Sequence, residues 1–224
     1  MNKNKRNIIT HLNPKSPISE QYKTIRTNIQ YSVVDQEVRS IMVTSSGPGE
    51  GKSTTIANLA VVFAQQGKKV LMIDADMRKP TAHYTFNLTN TVGLTNVLTK
   101  QVSLREAAKE TDIKNLDLLP CGPTPPNPAE LLSSKSMENF LKVAYEDYDL
   151  LLFDTPPLLA VTDAQVIANQ VDGTILVVSS GGTNQDALIK AKELLVNAKA
   201  KVMGVVLNNR SMKDSNYYYY YGNN

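Results

Sequence analysis

The sequence predicts an open α/β fold, a mostly parallel sheet with helices on both faces. Two observations predict it. Short apolar runs of strand length alternate along the chain with segments of helical periodicity. Those runs are apolar at consecutive positions, the pattern of strands covered on both sides and hence of a parallel sheet.

The elements follow in order. "SPISEQYKTIRTNIQYS" predicts a helix over about 16–32: Ser16 caps it, Pro17 opens it, and Tyr22, Ile25 and Ile29 form its apolar stripe. "SIMVTS" at 40–45 reads as the first strand. Over 52–66, Ile56, Leu59, Ala60 and Phe63 recur at helical spacing and Gly67 supplies the stop, which predicts an amphipathic helix. Strands are expected at "KVLMIDAD" (69–76), "LDLLP" (116–120), "YDLLLFDT" (148–155), "GTILVVSS" (173–180) and "KVMGVVLN" (201–208). The stretch from Asn127 to Tyr148 reads as one helix, with Asn127, Pro128 and Glu130 making a capping box, and 184–198 as another. Residues 1–208 are expected to form a single domain and 209–224 a mobile, tyrosine-rich tail.

Composition excludes several functions. A net charge of +3 over 224 residues gives no bulk drive toward nucleic acid, and Lys3, Lys5 and Arg6 form only a short basic arm, solvated or grazing a membrane surface. Cys121 is the single cysteine, so neither a disulfide framework nor a thiolate metal site is expected. No run approaches the length of a membrane span and no apolar leader opens the chain. The expectation is a cytoplasmic protein, brought to the inner face of the membrane by a partner.

The most specific motif is "SSGPGEGKST" at 45–54, between the first strand and the first long helix. Gly47, Gly49 and Gly51 let successive amides converge on an anion, and the helix N-terminus adds partial positive charge. Pro48, Glu50 and Thr54 complete the loop. Lys52 is placed to bridge the β- and γ-phosphates of ATP, and Ser53 to put its hydroxyl on Mg2+. Strict phosphate-loop spacing asks for glycine at 46, where this chain has serine. Asp74, Asp76 and Asp154 stand at the ends of two other strands, where open parallel sheets bind ligands. Three carboxylates gathered there repel one another unless a cation joins them, so a magnesium site is expected.

Together "GPGEGKST", "VLMIDADMRKP", "LLLFDTPP", "GPTPPNPAELL" and the terminal tyrosines resemble the bacterial tyrosine kinases of capsule and exopolysaccharide operons, in the cytoplasmic half of their split Gram-positive form. The wider class is that of MinD- and ParA-like P-loop ATPases. Those carry a signature lysine where this chain has Gly47, a departure that favours the kinase. The resemblance implies that Tyr217, Tyr218, Tyr219, Tyr220 and Tyr221 are autophosphorylated in trans. It implies a ring-shaped homo-oligomer, an octamer, formed through Glu20, Lys23 and Arg26. It also implies a transmembrane activator of the polysaccharide co-polymerase type, a cognate tyrosine phosphatase, and protein substrates such as sugar-nucleotide enzymes. Lys23 stands where the family motif has arginine and loses that side chain's bidentate fork.

On this reading Asp74 accepts or orients the tyrosine proton, and Asp76 and Asp154 hold magnesium directly or through water. Lys52, facing solvent, stabilises the transferred group. Asn208 is expected either to contact adenine or to serve as a strand-end turn residue. His11 and His83 are expected to be bystanders, and the prolines of "GPTPPNP" to shape a loop or, in a minor reading, to serve as an SH3-type ligand. Two rival functions are a partition-like ATPase switch and a non-catalytic, nucleotide-gated scaffold of an export complex.

Overall fold

A computed structural model describes residues 8–32 and 37–210. In chain order the elements are α1 (Ile9–Leu12), α2 (Pro17–Tyr31), β1 (Ser40–Ser45), α3 (Lys52–Gln65), β2 (Val70–Asp74), α4 (Ala82–Phe86), α5 (Leu94–Leu98) and α6 (Leu104–Ala107). There follow β3 (Lys109–Glu110), β4 (Leu116–Leu119), α7 (Pro128–Leu132), α8 (Lys135–Asp147), β5 (Leu150–Asp154), α9 (Asp163–Ala168), β6 (Gly173–Ser179), α10 (Gln185–Asn197) and β7 (Val202–Asn208).

The strands form one sheet in the order β3-β4-β2-β5-β1-β6-β7. Every neighbouring pair is parallel except β3 with β4. The six predicted strands are all present. The antiparallel β3 is an addition, and at two residues it leaves no periodicity to read. After β1 the chain builds outward through β2 and β4, and later returns to add β6 and β7 on the other side. The sheet therefore changes direction at β1, and the crevice beyond β1 is where such a fold takes its ligand.

Two apolar layers enclose the sheet. One lies under α5, α6, α8, α9 and α10 and is built around Met42, Leu71, Leu119, Leu151 and Phe153; the other lies under α1, α2 and α3, around Ile41, Val43, Met72, Leu152 and Val177. α3 is not the half-solvated helix its periodicity predicts. Every residue from Thr55 to Ala64 is buried, because α2 covers its outer face with Tyr22 and Ile29. α2 itself begins as expected, Ser16 accepting from the Ser19 amide with Pro17 in the first turn.

Three local expectations need correction. The stretch 127–148 is two helices, broken at Ser133 and Ser134, whose hydroxyls bond back to the Glu130 and Leu131 carbonyls. Asn127 does precede the first of them, but its side chain accepts no amide and instead donates to Glu130 Oε2 at 3.0 Å. β7 has the apolar run of an interior strand yet lies at the sheet edge, with Val202, Val205 and Leu207 exposed.

Candidate active site

The phosphate loop leaves β1 and turns into α3 through two residues with left-handed backbones, Gly49 (φ +81) and Gly51 (φ +98). The left-handed backbone requires glycine at 51, and a Cβ there would also displace the Asn208 side chain, whose Nδ2 would lie 2.0 Å away. The first-turn amides of α3 have no helical partner and open onto the loop, the arrangement that binds phosphate.

Asp74 closes β2 and Asp154 closes β5, and the two are paired in register across neighbouring strands. Both are buried. Asp74 Oδ2 accepts from the amides of Thr81 and Ala82, each at 2.9 Å, while Oδ1 is buried without a partner. Burial pushes the Asp74 carboxyl up to about 7, with the neighbouring Asp154 charge adding to the effect and the two amides opposing it. Asp76 accepts from the Lys79 amide at 3.1 Å.

Lys52 reaches into this group. Its Nζ lies 3.4 Å from Asp76 Oδ2, 3.5 Å from Asp154 Oδ1 and 3.2 Å from Ser53 Oγ. Burial alone lowers an ammonium's affinity for its proton, but the charges of Asp154, Asp76 and Asp74 outweigh it and hold Lys52 above its ordinary value. Lys52 is thus not solvent-facing as the sequence suggests: only 13% of its side chain is exposed. It is the cation that lets three carboxylates share a site.

The metal expectation can be tested on the donors themselves. Ser53 Oγ donates to Asp154 Oδ1 at 3.0 Å, and Asp154 Oδ2 is buried and unpartnered. Among the described residues no three acidic, histidine or cysteine side chains converge tightly enough to hold a metal by themselves. The donors therefore fit a hard cation that takes oxygens from Ser53, a carboxylate and a phosphate together.

The segment after β2 is locked by a pair that sequence reasoning did not assign. Arg78 donates through Nε and Nη2 to Asp163 at 2.9 and 3.1 Å, and Asp163 is fully buried at the start of α9. The arginine lies in a quoted motif, but nothing in the sequence marks its distant partner. Asn208 ends β7 with Nδ2 donating to the Glu50 carbonyl at 3.0 Å, so it stands against the phosphate loop. His83 is buried beside the ring of Tyr84, and Cys121 lies buried just beyond β4. Within α2, Lys23 pairs with Glu20 at 2.7 Å, while Arg26 donates to the Val62 carbonyl of α3 at 2.9 Å. The tyrosines at 217–221 and the basic arm lie outside the described residues. No helix among the described residues is long and apolar enough to cross a membrane.

Comparison with known proteins agrees with this geometry. A family model described as an AAA domain matches residues 38–181. The tyrosine-protein kinase YwqD of Bacillus subtilis is 56% identical over 217 residues, covering 97% of this chain and 92% of that protein. The crystal structure of the chimerical protein CapA2B2 superposes with a TM-score of 0.88 at 44% identity, covering 92% of each chain. The septum site-determining protein MinD of Pyrococcus horikoshii, complexed with Mg-ADP, aligns at a TM-score of 0.64 and 25% identity, covering 79% of this chain and 73% of that one. The architecture is thus that of the MinD-like P-loop ATPases, but the close relatives are kinases. The chain belongs to the bacterial tyrosine-kinase family, and it is a protein-tyrosine kinase.

Proposed function

We propose that the chain transfers the γ-phosphoryl group of ATP to tyrosine, modifies its own Tyr217–Tyr221 in trans, and so regulates capsular or exopolysaccharide synthesis and export. The observation that carries this reading is Asp74: a buried carboxyl at a strand end, near neutral in its titration, with one oxygen free. A tyrosine hydroxyl with a pKa near 10 needs such an acceptor.

The loop amides and Lys52 hold the β- and γ-phosphates and stabilise charge as the bond to the leaving ADP breaks. The tyrosine oxygen attacks the γ-phosphorus, and its proton passes to Asp74. Ser53, Asp154 and Asp76 would hold Mg2+, which when bound neutralises phosphate charge. Asn208, whose Nδ2 donates to the Glu50 carbonyl of the phosphate loop, would border the base. Arg26 is held by the Val62 carbonyl, and Lys23 and Glu20 by each other, so ring assembly through α2 would have these side chains exchange intrachain partners for those of a second copy.

Incubation with γ-labelled ATP and Mg2+, with and without a cytoplasmic peptide of a membrane activator, tests the reading. Tyrosine-linked label that increases with the peptide is expected. Free phosphate alone would make the chain a partition-like switch, and neither product would make it a scaffold. Equal labelling with and without the peptide would count against the split-kinase arrangement.

The tail offers a second test. Each phosphate adds about −1.5 to −2 charge, so five would turn a +3 chain strongly negative. Crowded tails of that charge disfavour a ring. Replacing all five tyrosines by phenylalanine should keep the oligomer assembled in ATP and Mg2+. Light scattering that showed the variant dissociating as readily as wild type would refute the switching role.

A further inference from the structure

The loop departs from the strict phosphate-binding pattern at Ser46 and carries an acid, Glu50, inside it. The structure joins these two residues. Ser46 Oγ donates to Glu50 Oε1 at 2.5 Å, and the Gly47 amide donates to the same oxygen at 3.0 Å. Ser46 is fully buried and Glu50 is 8% exposed, with Oε2 buried and unpartnered. The Glu50 carbonyl is held separately, by Asn208 Nδ2 at 3.0 Å. One residue is therefore fixed at both ends, its side chain to the entry of the loop and its backbone to the end of β7.

A carboxylate within an anion-binding loop opposes the potential that binds phosphate. Its local gain is to fix the loop before nucleotide arrives, which removes an ordering cost from binding. With a glycine at 46 the loop would have no hydroxyl to bridge to Glu50, so the departure and the acid belong together.

We infer that Glu50 is a positioning residue for the nucleotide, with Ser46 as its partner: their bond sets the curvature that brings the loop amides into convergence on phosphate. This rests on the ATP reading of the site.

The test measures Mg-ATP binding by calorimetry, together with KM, kcat and melting temperature, for Glu50→Ala, Glu50→Gln, Ser46→Ala and the double alanine variant. Glu50→Ala should weaken binding about tenfold, the scale of a hydrogen bond to a charged group, and raise KM with little change in kcat. Ser46→Ala should move part of the way, and the double variant should be no weaker than Glu50→Ala, since the two act as a unit. Glu50→Gln keeps an acceptor for both donors and should recover most of the affinity. Wild-type affinity in folded Glu50→Ala, tighter binding on removal of the acid, or a glutamine variant as weak as alanine would each overturn the assignment. A change in melting temperature with unchanged affinity would mean that the pair supports only the fold. Failure of the wild-type chain to bind Mg-ATP would instead refute the nucleotide reading itself.

Discussion

Lys52→Met is expected to eliminate tyrosine phosphorylation and, in the absence of nucleotide, to lower stability at neutral pH. The first effect follows from the proposed phosphate contact, the second from burial. Removing Lys52 leaves Asp74, Asp76 and Asp154 together without the cation that lies 3.4 and 3.5 Å from two of them. Breaking a buried ion pair by deleting one partner costs about 3–5 kcal/mol, because the remaining charge stays desolvated. The deficit should shrink below pH 7, where Asp74 takes up its proton and one repulsive charge disappears. Thermal melts of both proteins between pH 5 and pH 8 measure this, and labelled ATP measures transfer. A variant that phosphorylates normally would remove Lys52 from the chemistry, and one that melts like wild type would mean that the carboxylates do not need it.

Asp74→Asn should separate catalysis from stability in opposite directions. Asparagine retains one oxygen for the amides of Thr81 and Ala82 but cannot accept the tyrosine proton, so transfer per bound ATP should fall about a hundredfold or more. Stability should rise. The carboxyl titrates at about 7 in the folded chain against 3.8 when unperturbed, so between those values the folded state holds a proton that the unfolded state has released. Stability of the wild type therefore falls as pH rises from about 4 through about 7, and the cost is complete above that. Without nucleotide or metal, the asparagine variant should be the more stable by on the order of 4 kcal/mol at pH 8, with no advantage near pH 4. Loss of ATP affinity with transfer per bound ATP preserved would make Asp74 a metal ligand instead of the proton acceptor.

Much of this was legible in the residues because the signals are local. Six strands announce themselves as apolar runs, and the phosphate loop, Asp74, Asp76 and Asp154 stand at their ends. The elements that escaped notice are short. α1, α4, α5, α6 and α9 have four to six residues, too few for a helical period to repeat, and β3 has two. β7 misled because an apolar run does not reveal whether another strand will lie beside it. In the site, Arg78 meets Asp163 across the fold with no common motif, and Glu50 meets Ser46 within one motif but across a loop whose irregular shape no periodicity reveals. The burial of Lys52 is not legible either, since it depends on three carboxylates from two other strands closing around it.

The position of β1 has a consequence for how the chain reaches its native state. β1 is made early, but its partners are late: Ser40 pairs with Leu151 of β5 and Ile41 with Gly173 of β6. Sheets of this kind are dominated by contacts distant in sequence, and the loop-closure entropy of each must be met before any contact rewards it. During synthesis, the strand that carries the phosphate loop thus has no neighbour on either side until most of the chain has emerged. The phosphate loop is translated about a hundred residues before β5 and β6, the strands its own strand pairs with, so a product stalled between them carries the motif without the sheet that shapes it.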